Sequence, residues 1–210
     1  MMTGSGVVWR LFFAVELSKE MQAGVRRIQQ GFKEHAPGVR WVRPEGIHLT
    51  LRFLGDVAPE RIEDICGRAA RGVDTIPSFP IEVRGCGGFP STKRPRVVWI
   101  GVEDPSGSLQ AMQARVEAGM QELGFPRDEK GYNPHLTLGR LKSGKGQGMI
   151  AQAIEAQRGV DLGQMEVREV CLFRSQLKPT GAEYTKLKVI TLGKVSEENC
   201  ATTEDTDGCG

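Results

Sequence analysis

The apolar positions of this chain fall into short runs of two different periods. Trp9 to Glu16 is almost continuously apolar and aromatic and predicts a strand. Behind it, Met21, Val25, Ile28 and Phe32 recur at intervals of 4, 3 and 4, the period of one helix face, with Ser18 placed to cap the first turn. That helix is predicted to end near His35, ahead of Pro37 and Gly38. Val39 to Val42 and Ile47 to Leu54 read as strands joined by a turn containing Pro44 and Gly46. Pro59 suits the first position of a second helix, whose face carries Ile62, Ile65, Ala69 and Val73.

Phe79 to Val83 and Val97 to Val102 predict two more strands around a glycine-rich, basic loop containing Lys93, Arg94 and Arg96, expected to be exposed and mobile. Leu109, Met112, Val116, Met120 and Leu123 form a third helical stripe that Gly124 is placed to end. Tyr132 to Leu141 follows as a strand, then a weaker helix over Met149 to Gln157, then strands near Met165 to Phe173 and Tyr184 to Leu192. From Ser196 the chain is polar and acidic and is expected to be disordered. Helices and strands interleave, but neighbouring strands are joined by short links, which predicts an α+β fold with antiparallel sheets.

Composition narrows the function classes. A folded unit of 210 residues buries roughly 70% of its unfolded surface, so core size is not limiting. No apolar stretch approaches the roughly 20 residues of a membrane helix, and Met1 to Val8 does not resemble a secretion signal. A soluble, cytoplasmic protein without membrane contact is expected. The cysteines Cys66, Cys86, Cys171, Cys200 and Cys209 are odd in number and irregularly spaced, which predicts free thiols and offers no zinc-site pattern. Residues 1–196 carry 28 Lys and Arg against 21 Asp and Glu, a net +7 that the acidic end of the chain masks. Such an excess suits a polyanionic partner and plain solubility equally.

The chain contains three histidines, and two of them open the same tetrapeptide: His48-Leu49-Thr50-Leu51 and His135-Leu136-Thr137-Leu138. In a strand, alternate residues share a face, so each copy presents an imidazole beside a threonine hydroxyl while its leucines enter a core. One copy would be an ordinary half-exposed strand. Two copies in separate halves suggest an internal two-fold that brings them to one cleft. Hydrolysis of a phosphodiester needs a base to take a proton from water and an acid to protonate the leaving oxygen, and an imidazole suits either task. Threonine hydroxyls can donate to phosphate oxygens whose charge grows in the transition state. A catalytic zinc site wants about three protein ligands, of which the motifs supply two, and no G-x-S-x-G turn is present.

These residues resemble the two-histidine phosphoesterases, and within them the RNA 2′,3′-cyclic phosphodiesterase family, also called 2′-5′ RNA ligases. Arg10 to Leu17, Trp41 to Gly55, Pro95 to Trp99 and Asn133 to Arg140 are each similar to a family segment, as are Leu172 to Ser175 with Tyr184-Thr185. The resemblance implies a bilobal α+β structure over residues 1–195, two pseudo-symmetric sheets about a central cleft; the acidic tail, 196–210, is an extra beyond the family's usual pattern. It implies His48 as proton donor, His135 as proton acceptor, Thr50 and Thr137 as phosphate-contacting hydroxyls and Arg140 as a basic residue near the phosphate. Simple alternation, however, places Arg140 on the leucine face. Arg52 has cleft parity but reads as a solvated surface side chain. Phe12, Phe13 and Trp41 are either base-stacking or core residues, and the Lys93, Arg94 and Arg96 loop is either solvated or in contact with RNA backbone.

The expected function is hydrolysis of RNA 2′,3′-cyclic phosphate ends, tRNA fragments among them, to 2′-phosphates. The expected enzyme is a monomer that needs no metal and no cofactor; the absence of a Walker-type loop agrees with nucleotide independence. Joining of RNA ends through a 2′-5′ linkage is implied as a side activity. The alternatives are a non-catalytic nucleotide- or RNA-binding module and the same chemistry on a small cyclic nucleotide or ADP-ribose cyclic phosphate.

Overall fold

The computed structural model describes residues 7–35, 38–129, 131–142, 146–179 and 181–193. The acidic tail, with Cys200 and Cys209, lies outside the described residues. In chain order the elements are β1 (Trp9–Glu16), α1 (Lys19–His35), β2 (Val39–Trp41), β3 (His48–Val57), α2 (Ile62–Val73), β4 (Phe79–Phe89), β5 (Val97–Glu103), α3 (Ser108–Glu122), β6 (His135–Leu141), α4 (Gln147–Ala156), β7 (Asp161–Val167), β8 (Glu169–Lys178) and β9 (Gly181–Thr191). The strands form one antiparallel sheet in the order β7-β4-β5-β6-β3-β1-β8-β9, with β2 added beside β6. This is the α+β, antiparallel class expected, and the two halves of the order are its two lobes.

β1 is buried on both faces, which is why its sequence shows no alternation. Leu11, Phe13 and Val15 join the main core under the helices, while Phe12 and Ala14 pack on the opposite face with Cys171 and Phe173. α1 is capped as expected: the Met21 amide donates to Ser18 Oγ at 3.1 Å. Its buried face carries Met21, Val25, Phe32 and also Gln29, whose amide donates to the carbonyls of Val42 (2.6 Å) and Leu138 (3.0 Å). That one side chain ties α1 to the end of β2 and to the middle of β6. α3 buries Leu109, Met112, Val116 and Met120, and Gly124 ends it with φ +83°. Among the described residues no helix is long and apolar enough to cross a membrane.

Four expectations are corrected. Pro59 opens a short 3-10 turn, Pro59–Arg61, and α2 starts only at Ile62. Gly85 to Gly88 belong to β4 and not to a loop. Gly87 is opposite Trp99, and a Cβ there would lie 2.2 Å from two atoms of the indole ring, so the glycine makes room for tryptophan. The exposed Lys93, Arg94 and Arg96 remain on the short connection that follows. The stretch from Tyr132 begins pairing only at His135.

The Met165 to Phe173 run is two strands broken at Arg168. β7 pairs with β4 in one lobe and β8 with β1 in the other. Leu192 N donates to Arg168 O at 2.9 Å at the crossing point.

β6 is opposed by β3 at its start and by β2 at its end, so β3 and β6 diverge and the sheet opens there. Gly139 sits at this junction. A Cβ on it would lie 2.6 Å from Val39 Cγ1 and 2.8 Å from Trp41 Cε3. Gly139→Ala is therefore expected to destabilise the fold by about 1–3 kcal/mol through overpacking. A urea midpoint equal to that of the parent protein would show that β2 moves away freely.

Candidate active site

Leu49 pairs with Leu136 across the β3–β6 seam. These are the second residues of the two tetrapeptides, so an antiparallel pair of like positions places a local two-fold axis between them. Both leucines are fully buried on the helix side. Antiparallel register then sets His48 across from Thr137 and Thr50 across from His135, all four on the open face. They line a single cavity of about 300 Å³, together with Arg140, Phe53, Phe89 and Tyr184. The cavity thus contains every residue expected for the site.

Each imidazole is held by the backbone carbonyl two residues before it. His135 Nδ1 lies 2.7 Å from Asn133 O, and His48 has the corresponding bond to Gly46. A carbonyl can only accept, so these ring nitrogens carry hydrogen and the other nitrogen of each ring is left for chemistry. The His48 ring stacks on Phe12 with centroids 4.7 Å apart and meets the edge of Tyr184 at 5.0 Å. His135 lies edge-on to Phe89 at 4.9 Å. Burial pushes His48 down to about 4, against a smaller upward pull from the Gly46 carbonyl. Burial also holds His135 below its ordinary value; the Asn133 bond opposes this and the nearby Arg140 charge adds to it. At neutral pH burial therefore favours the uncharged form of both rings.

Two matching irregularities decide what else faces the cavity. Phe13 is opposite Arg52 while Ala14 is opposite Thr50, so Leu51 is an extra residue in β3. Val98 is opposite Gly139 while Trp99 is opposite Thr137, so Leu138 is an extra residue in β6. Each bulge shifts the alternation by one. Arg140 is thereby turned into the cavity, against simple strand parity, and Phe53, 55% exposed, occupies the equivalent place on the other strand.

The same shift turns Arg52 inward, correcting its reading as a solvated side chain. It is 7% exposed, its Nε lies 2.6 Å from Glu117 Oε2, and its Nη2 donates to Pro126 O. Phe12 supports the His48 ring, Phe13 is core and Trp41 packs beside Phe32. The Lys93, Arg94 and Arg96 side chains do not line the cavity.

Phe53, Phe89 and Tyr184 were not legible as site residues. A usable signal existed for one: Phe53 and Arg140 each stand five residues after a motif histidine. Among the described residues, the group with metal-ligand spacing is Glu16, Glu169 and Cys171, to which neither histidine belongs and in which Glu16 pairs with Lys186 at 2.5 Å. Burial pushes the thiols of Cys66 up to about 11 and of Cys86 and Cys171 up to about 12, so all three are protonated and unreactive at neutral pH.

The family model for LigT-like phosphoesterases matches the chain twice, over residues 15–99 and 100–184. Each match contains one tetrapeptide, so the duplication seen in the sheet is also present in sequence. An RNA 2′,3′-cyclic phosphodiesterase of Methanothermobacter thermautotrophicus is 39% identical over 186 residues, covering 87% of this chain and 98% of the relative. One from Archaeoglobus fulgidus is 37% identical over 180 residues, covering 86% and 98%. Among solved structures, a protein of Thermus thermophilus superimposes with a TM-score of 0.73 at 32% identity, covering 88% of this chain and 98% of that one. E. coli LigT complexed with 3′-AMP gives 0.70 at 27% identity, covering 89% and 99%.

Proposed function

This chain belongs to the LigT-like phosphoesterase family, and from that premise we propose that it hydrolyses RNA 2′,3′-cyclic phosphate ends to 2′-phosphates, with His48 and His135 as the proton-transfer pair. The observation that carries the reading is the pairing of the two tetrapeptides about one axis, which gives a single cavity two imidazoles and two hydroxyls. The relatives named RNA 2′,3′-cyclic phosphodiesterase support the substrate class. The protein acts as a monomer on RNA fragments, those of tRNA included, without a metal.

Water attacks phosphorus while His135 takes its proton; the bond from phosphorus to the 3′ oxygen breaks, and His48 protonates that oxygen. Thr50 and Thr137 donate to the non-bridging oxygens and Arg140 offsets their charge. When a 5′-hydroxyl replaces water, the same step forms a 2′-5′ linkage without ATP.

The test is an oligoribonucleotide ending in a 2′,3′-cyclic phosphate, incubated with the protein in EDTA. A 2′-phosphate product is expected, with a bell-shaped pH dependence. Unchanged substrate would end the proposal, and a 3′-phosphate would assign the leaving oxygen the other way.

The donor role demands a charged His48, whereas burial favours the neutral ring. A phosphate anion seated beside it favours the imidazolium and so reverses the effect of burial. His48 should therefore take up a proton when the cyclic phosphate binds. By NMR its midpoint is expected to move from about 4 without ligand to above roughly 6 with a nucleoside 2′,3′-cyclic phosphate, in a His135→Ala background that keeps the ligand intact. A midpoint that stays put on binding would remove His48 as the acid.

A further inference from the structure

The cavity that holds the two histidines does not end at Arg140. A second cavity of about 350 Å³ adjoins it, sharing Gly46, Arg140 and Tyr184 among its walls. Its other charged walls among the described residues are Arg40, Arg43 and Lys178, with no Asp or Glu among them. Carboxylates close by in sequence are engaged: Glu45 with Arg26 at 2.8 Å and Glu183 with Lys178 at 2.5 Å. Among the described residues Arg40, Arg43 and Arg140 make no ion pair.

Arg40 stands directly opposite Arg140 in the β2–β6 pairing, so two guanidinium groups share one face of the sheet as cross-strand neighbours. Like charges in that position cost stability, and among the described residues no carboxylate pairs with either. An anion between them completes the arrangement, and the planar fork of arginine fits phosphate oxygens.

An RNA strand whose terminal phosphorus lies between the imidazoles must leave the first cavity through one wall. The wall formed by Arg140 and Tyr184 opens onto this row of cations. We propose that the second cavity binds the internucleotide phosphates next to the cyclic end, so that the protein acts on single-stranded oligoribonucleotide ends in preference to mononucleoside cyclic phosphates. The inference rests on the phosphoesterase reading of the histidine cavity.

The test variant is Arg40→Ala with Arg43→Ala; both side chains lie outside the core. Turnover is compared on a nucleoside 2′,3′-cyclic phosphate and on an oligoribonucleotide with the same end. The parent protein should favour the oligonucleotide, and in the double variant the ratio of the two kcat/KM values should fall about tenfold, through KM. The slope of log KM for the oligonucleotide against log salt should also shrink by about 1.4, from ~0.7 per lost phosphate contact on a single strand. An unchanged ratio and slope, or a parent protein that favours the mononucleotide, would overturn the proposal.

If the parent protein turns over neither substrate, the phosphoesterase reading fails and the groove is judged by binding. Fluorescence anisotropy with the same oligonucleotide should then show weaker, less salt-sensitive binding by the double variant; equal affinity would overturn the inference.

Discussion

His48→Ala and His135→Ala are each expected to lower kcat on an RNA 2′,3′-cyclic phosphate by about 10²–10⁴-fold, the usual worth of a positioned acid or base. The double variant should fall far less than the product of the two losses, because the rings act as one unit on one phosphorus. Each variant should also lose a different limb of the pH profile. The rising limb reports deprotonation of the base and should disappear with His135, while the falling limb reports loss of the acid proton and should disappear with His48. Truncating His48 removes a ring packed on Phe12 and Tyr184, so unfolding curves accompany the kinetics and His48→Gln serves as a bulkier control. Turnover within a few-fold of the parent in both alanine variants would place the chemistry elsewhere.

Thr50→Val and Thr137→Val are expected to cost about 10²–10³-fold each in kcat, with a smaller change in KM. The swap keeps the branched shape of a strand residue and removes only the hydroxyl, so the sheet should be undisturbed. The loss falls on kcat because the non-bridging oxygens gain charge on the way to the transition state, where a donor in a partly dry cavity is most effective. Serine at either position should restore most of the rate. If both valine variants stay within twofold of the parent, the hydroxyls serve the strand and not the phosphate.

The parts of this structure legible in sequence are those set by neighbouring residues. β1 runs from Trp9 to Glu16 as its apolar run predicts, and Ser18 caps α1 because the capping bond is local. The helical stripes of α2 and α3 are buried as their spacing implies, apart from the half-buried Ile62 and Leu123 at their ends. Features set by distant pairing were not visible. Nothing around Arg168 announces that the chain changes lobes there, since β7 and β8 take their identity from β4 and β1. Gly85 to Gly88 mimic a loop because the groups that require them lie elsewhere in sequence, Trp99 against Gly87 and Pro95 and Ile154 against Gly88.

The site divides along the same line. His48, Thr50, His135 and Thr137 stood out because a rare residue recurs in a repeated context. Arg140 and Arg52 were each given the wrong face by alternation, because the extra residues Leu51 in β3 and Leu138 in β6 are defined only by pairing with β1 and β5 and leave no mark in composition. Tyr184 reaches the cavity from β9, remote in sequence from both motifs.

Leu49 facing Leu136 has one more consequence. A substrate turned end for end about that axis would meet the same rings and the same hydroxyls, so the repeated side chains alone cannot give the reaction a direction. Orientation is left to residues that break the likeness. Phe53 and Arg140 hold equivalent stations and differ most, one an aromatic surface and the other a fixed cation. Under the proposed phosphoesterase reading, that difference would set which way round an RNA end is held.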